Sequence, residues 1–210
     1  INTMYLYFDN NAINIFPLGL LILIGIIFLF WRKKQEKAFL LILFAFGLYI
    51  LFVLRVTLFP IPLYSSLPTI EFPYSPRNLN LLPLNFDECR ILRHCLFGSI
   101  ANVYLTIPFG FGIYFLIRSK KKFFLWISLF IGLFIEITQL VISLLLGFPY
   151  RVIDINDVIF NAFGVLIGYI LFRLFVWGYF ALSKKWRSLK TGVYQYLFDV
   201  VNDARTKQED

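Results

Sequence analysis

Histidine and cysteine are nearly missing: one His and two Cys stand among 210 residues. Zinc sites are built from clusters of those residue types, so their scarcity argues against zinc chemistry. The lone His94 precedes an apolar run and reads as an ordinary interfacial residue. Charge is also sparse, at 15% of the chain, against about 25% in soluble domains. No nucleophile elbow and no phosphate-cradling glycine loop occurs, which removes two familiar enzyme classes. No internal repeat is visible either.

What is present is apolar. Hydrophobic residues make up 60% of the sequence and the mean hydropathy is +0.76. Several apolar runs approach twenty residues, enough to cross a hydrocarbon core of roughly 30 Å. A signal peptide would supply one such run at the N-terminus; runs spread along the whole chain require a protein that crosses repeatedly. Lipid offers the backbone no hydrogen bonds, so the runs should be helices. The predicted fold is an all-α, polytopic membrane bundle of about five transmembrane helices.

The predicted spans are Ile13–Trp31, Ala38–Phe59, Gly98–Ile117, Phe123–Leu146 and Ile155–Phe180. Pro60 and Pro62 stop the second, Pro108 predicts a kink in the third, and Gly147 and Pro149 end the fourth. Between the second and third lies Pro60–Phe97, with six of the nine prolines, which predicts a stiff, extended loop. That loop could lie across a site as a lid. Residues 1–182 form the predicted bundle and 183–210 a tail.

The net charge of +8 raises nucleic acid as a partner, but the charges are placed for topology. Arg32, Lys33, Lys34 and Lys37 follow the first run; Arg118, Lys120, Lys121 and Lys122 follow the third; Lys184, Lys185 and Arg187 follow the fifth. Basic residues clustered at run ends mark the cytoplasmic side and can attract anionic headgroups. No basic face remains for nucleic acid. The N-terminus, the proline-rich loop and the Gly147–Arg151 turn are therefore expected outside and the C-terminus inside. In the tail, Trp186, Leu189, Val193, Leu197, Val200 and Ala204 recur at helical spacing. An amphipathic helix on the cytoplasmic membrane surface fits them, as does a partly disordered tail. Cys89 and Cys95 fall outside, where a disulfide is permitted; a helical continuation into the third run would leave both thiols free.

Charged and amide side chains within the runs are the informative residues, because a mid-bilayer charge costs roughly 2.5–3.5 kcal/mol on insertion scales. Gly132, Glu136, Gln139 and Ser143 share one face of the fourth run. Asp154, Asp157, Asn161, Gly164 and Gly168 share one face of the fifth, and Asn102, Thr106 and Gly110 one face of the third. Arg55 lies about one turn from the outer end of the second. At 1.5 Å of rise per residue these groups fall at overlapping depths near the external side, with Glu136 deepest at roughly 15 Å. They predict an outward-facing polar pocket, with Arg151 from the adjoining turn.

Blander readings stand beside that one. Asp154 can serve as a helix N-cap and Asp157 can favour the helix dipole. Gly164-x-x-x-Gly168 can be a packing face, and Thr106 and Asn161 interhelical hydrogen-bonding groups. Arg55 can snorkel to headgroups. Glu136 lies too deep for that.

The stretch Glu136-Ile-Thr-Gln139, then Arg151-x-x-Asp154-x-x-Asp157-x-x-x-Asn161-x-x-Gly164, resembles the signature of the VanZ-like family. Arg55 before Thr57-Leu58-Phe59-Pro60 resembles that family's R-x-T-L-x-P segment. Asn80-Leu81-Leu82-Pro83-Leu84 resembles its N-L-x-P-F segment, with Leu84 in place of Phe. Asn102 with Pro108-Phe109-Gly110 resembles a third segment, with Ile107 at a departing position. The resemblance spans Arg55 to Gly168, and the combined spacing is far more specific than any one piece. It implies a multi-pass protein of the bacterial cell membrane with a role at the envelope. The family takes its name from an accessory protein that lowers susceptibility to the glycopeptide teicoplanin.

Three functions follow as expectations. The pocket could bind an amphiphile such as a lipid-linked wall precursor or a lipoglycopeptide. Arg55 and Arg151 would then hold phosphate or carboxylate, with Asn102, Thr106, Gln139 and Asn161 orienting it. Alternatively, Glu136, Asp154 and Asp157 could supply acid–base groups, or Glu136 and Asp157 a divalent metal site. A small transporter or flippase is the third reading; without an inverted repeat it would need a homodimer.

Overall fold

The computed structural model describes residues 12–62, 79–86, 92–183 and 192–207. Its elements are β1 (Ala12–Ile13), α1 (Phe16–Arg32), α2 (Lys37–Thr57), β2 (Ile61–Pro62), β3 (Leu79–Asn80), α3 (Leu92–Leu116), α4 (Lys121–Leu146), β4 (Ile153–Asp154), α5 (Ile155–Ser183) and α6 (Val193–Thr206). Together they make an all-α membrane bundle. Four helices, α2 to α5, are long and apolar enough to cross a membrane. α1 is equally apolar but has 17 residues, about 25 Å of rise. The strands are two-residue pairings, β1 antiparallel to β2 and β3 parallel to β4.

Helix ends follow local chemistry. Pro17 sits in the first turn of α1, where its missing N–H is not needed. Gly147 ends α4 at φ 79°, its N–H reaching the Ser143 and Leu144 carbonyls, a left-handed cap that suits glycine. α3 departs from the expected boundary: it begins at Leu92, not Gly98. Leu92 to Phe97 hold no proline or glycine, so their charges interrupt the hydropathy but not the helix. Cys95, on this first turn, is disulfide-bonded; Cys89 lies outside the described residues. So does most of the proline-rich loop expected to act as a lid.

Glycines set the helix spacing. A Cβ on Gly110 would strike the Val165 carbonyl, one on Gly168 the Ile107 carbonyl, and one on Gly164 the Thr106 hydroxyl. α3 and α5 therefore meet backbone to backbone, the small-residue packing expected of Gly164 and Gly168. Gly132 brings α4 onto α5, its would-be Cβ 2.7 Å from the Val158 carbonyl oxygen. α2 joins α3 through Phe46 and Phe109, with ring centroids 5.6 Å apart. The Tyr49 hydroxyl also donates to the Leu105 carbonyl at 2.6 Å. Pro108 withholds a donor from the Tyr104 carbonyl four residues before it, yet α3 continues through it.

At the other end Tyr114 stacks on Phe172, with centroids 4.5 Å apart, and Phe124 on Tyr169 at 4.3 Å. α6 closes over this aromatic core with Tyr196, Val200, Val201 and Ala204 buried. Its apolar face thus rests on the bundle itself; Trp186 and Leu189 of the tail lie outside the described residues. The outer surfaces of α4 and α5 remain apolar, with Trp126, Leu145 and Trp177 exposed, as expected of helices solvated by lipid.

Candidate functional site

α2, α3, α4 and α5 enclose a half-open cavity of about 750 Å³ near the ends of the bundle joined by β3 and β4. Of the nine residues expected to bind a ligand, six line it: Asn102, Glu136, Gln139, Arg151, Asp157 and Asn161. Phe52, Val56, Leu105 and Ile135 supply apolar wall, with Tyr150 beside Arg151.

The other three lie elsewhere. Thr106 is buried between α3 and α5, its hydroxyl 2.9 Å from the carbonyls of Asn161 and Asn102. It is interhelical glue. Arg55 is exposed on α2 and does not line the cavity. Asp154 caps α5, its Oδ1 accepting the Asn156 N–H at 2.8 Å and the Asn80 Nδ2–H at 3.0 Å. Burial raises its carboxyl above the ordinary aspartate range, partly offset by those two donors.

The cavity residues are held by the turns of neighbouring elements. The Asp154 backbone N–H donates to Glu136 Oε2 at 3.0 Å, tying α4 to β4. Gln139 Nε2 donates to the Thr57 carbonyl at 3.0 Å, satisfying an orphan carbonyl at the end of α2. The Tyr150 hydroxyl points at the Leu58 carbonyl at 3.4 Å. The Asn102 side chain stands beside Asp157 as a hydrogen-bond donor. Asn161 is 1% exposed and its Oδ1 has no hydrogen-bond partner. Ser143 Oγ is likewise buried without one, but lies off the cavity.

Two asparagines matter more than their spacing suggested. Asn156 is fully buried; its Oδ1 accepts the Leu84 N–H at 2.6 Å and its Nδ2 donates to the Asn85 carbonyl at 3.0 Å. Asn80 also donates to the Asn85 carbonyl, at 3.0 Å. They clamp the Leu79–Phe86 segment to the start of α5, holding Leu84 at φ 58°. Asn156 stands two residues after Asp154, off the polar stripe, so helical spacing passed over it. Asn80 lay in a recognised segment without a role.

The VanZ/LLP1 family model matches residues 46–176. The chain belongs to this family. The matched span runs from α2 into α5 and contains every residue that lines the cavity, while α1 and α6 lie outside it. No curated protein and no solved structure matches the chain significantly.

Chemically the lining residues bring two carboxyl groups, three side-chain amides and one guanidinium. Among the described residues no group of three or more His, Cys, Asp or Glu is placed to hold a metal ion. A divalent cation at Glu136 and Asp157 would need further oxygen ligands, such as Asn161 and water.

Proposed function

We propose that this VanZ/LLP1 protein binds the polar head of an envelope amphiphile in the cavity, without catalysis. A lipid-linked wall precursor or the acyl-bearing end of a lipoglycopeptide would fit, and sequestering either would lower susceptibility to a glycopeptide such as teicoplanin. In this reading the chain is a multi-pass protein of the bacterial cell membrane. The cavity opens outward and the basic loops face the cytoplasm.

One observation carries it: Glu136, Asp157 and Asn161 line one cavity, and the buried Asn161 Oδ1 has no hydrogen-bond partner. Leaving a buried acceptor unsatisfied costs about 1–3 kcal/mol, so a ligand donor is the natural partner. The volume falls in the 300–1,000 Å³ range of ligand sites, and the mixed walls suit an amphiphile. Binding of a lipid-linked wall precursor to the full chain tests the reading. Asn161→Leu should lower affinity about tenfold, near 1.4 kcal/mol; unchanged affinity would refute it.

A second reading has a specific observation behind it, since Glu136 and Asp157 line the same cavity. One could give a proton while the other takes one. Turnover of an envelope lipid by wild type, lost in Asp157→Asn, would replace the binding reading with this one.

A further inference from the structure

We infer that the floor of the cavity takes a primary ammonium group while Arg151 takes an anion on the same molecule. The ligand is then zwitterionic, with an amine a few bonds from a phosphate or carboxylate. This rests on the reading of the cavity as a binding site and names the chemistry of its occupant.

Donors and acceptors in the cavity are unequally engaged. The cavity's donors are largely engaged by the protein. Gln139 Nε2 is committed to the Thr57 carbonyl and the Tyr150 hydroxyl faces the Leu58 carbonyl. The Asn102 side chain serves Asp157. The acceptors are not. Glu136 Oε2 receives the Asp154 N–H, but among the described residues no hydrogen bond to Oε1 is formed. Asp157 carries a second carboxylate, and Asn161 Oδ1 is wholly without a partner. Glu136 on α4, with Asp157 and Asn161 one turn apart on a single face of α5, supply acceptor groups from two helices for the three N–H donors of an ammonium.

Charge narrows the class further. An anion on the floor would meet two carboxylates, and a lone hydroxyl offers one donor and no charge. A quaternary nitrogen has charge but no N–H. Arg151 is the cation on the wall, its guanidinium 5.9 Å from the Tyr150 ring centroid. A guanidinium pairs a phosphate or carboxylate with two parallel hydrogen bonds. Phe52, Val56 and Leu105 then border the path of an attached chain. The ammonium–anion pair could belong to a lipid headgroup or to a water-soluble molecule.

The test uses the full chain in nanodiscs of single lipids with identical acyl chains: phosphatidylethanolamine, phosphatidylcholine or phosphatidylglycerol. Native mass spectrometry after mild delipidation reads the retained lipid. Phosphatidylethanolamine should be retained about tenfold better than the other two. Glu136→Gln, which keeps an acceptor for the Asp154 N–H, should abolish that preference. Asn161→Asp, of the same volume, should increase it, and Arg151→Ala should weaken retention of all three. Displacement of phosphatidylethanolamine by soluble phosphoethanolamine supports the ammonium site and assigns it a soluble ligand; resistance assigns it the lipid. Equal retention of the three lipids, still reduced in Asn161→Leu, would overturn the ammonium and leave the amphiphile site standing. Retention indifferent to Glu136, Asn161 and Arg151 alike would overturn both.

Discussion

Polar groups enter this bundle at two ends, and the protein treats them differently. At the α6 end the buried polar side chains among the described residues are answered by the chain itself. The Tyr114 hydroxyl donates to Asp203 Oδ2 at 3.2 Å, Arg173 Nη1 to the Ala204 carbonyl at 2.7 Å, and Lys207 Nζ to the Arg118 carbonyl at 2.8 Å. The Tyr196 hydroxyl reaches the Phe115 carbonyl, and its burial raises its proton affinity. Arg173 and Lys207 place positive charge where the C-terminus of α6 presents its carbonyls. At the β3–β4 end the supporting groups are mostly satisfied too, Ser143 Oγ excepted, but the cavity floor is left open. A bundle can bury polar groups to hold a helix in place or to receive something else, and the presence of a partner within the chain separates the two uses.

The comparison can be broken first at what both ends share. Gly168→Leu should cost about 3 kcal/mol or more, because the clash falls on α3 backbone that cannot step aside. A collapse in folded yield and melting temperature in detergent would show it. Asn156→Ala comes next, at roughly 2–3 kcal/mol for buried groups left unpaired. Hydrogen exchange should rise across Leu79–Phe86 and stay unchanged in α6. Arg173→Met should cost roughly 1.5 kcal/mol through the lost charge-assisted bond. It should raise exchange in α6 and leave retention of the cavity ligand as in wild type. Glu136→Gln inverts that pattern, shifting stability by less than about 1 kcal/mol while ligand retention falls.

The smallest effect is in pH. The folded state raises the Asp154 carboxyl, so it holds that proton more tightly than the unfolded chain. Its contribution is fully present below the ordinary aspartate range and is lost as pH rises through the raised value. Melting temperatures in mildly acidic buffers should show a shallow decline that Asp154→Asn removes.

Much of this architecture was legible in the sequence. Hydropathy located the helices because lipid and protein core make the same demand of a side chain. For the same reason it could not tell which faces meet lipid and which meet protein. The polar stripes on the third, fourth and fifth runs converge, since helical spacing fixes a shared face. Arg55 did not join them: its place in the sequence gives depth but not direction. Gln139 reached the cavity wall, yet its amide satisfies the end of another helix, a need visible only once α2 and α4 are adjacent. Arg173 was passed over inside an apolar run, where its partner is the carbonyl of a helix more than thirty residues on. Asn156 was missed because it acts through a loop crossing, which periodicity does not encode.

The claim that the open cavity is a ligand site, and the α6 end is not, is tested most directly by photo-crosslinking. A zwitterionic lipid with a photoreactive group near its head would be used with the full chain in a bilayer. The account expects labelling concentrated on cavity peptides around Asn102, Tyr150 and Asn161, suppressed in Asn161→Leu. Labelling confined to lipid-facing positions such as Trp126, Leu145 and Trp177, and unaltered by that substitution, would contradict it.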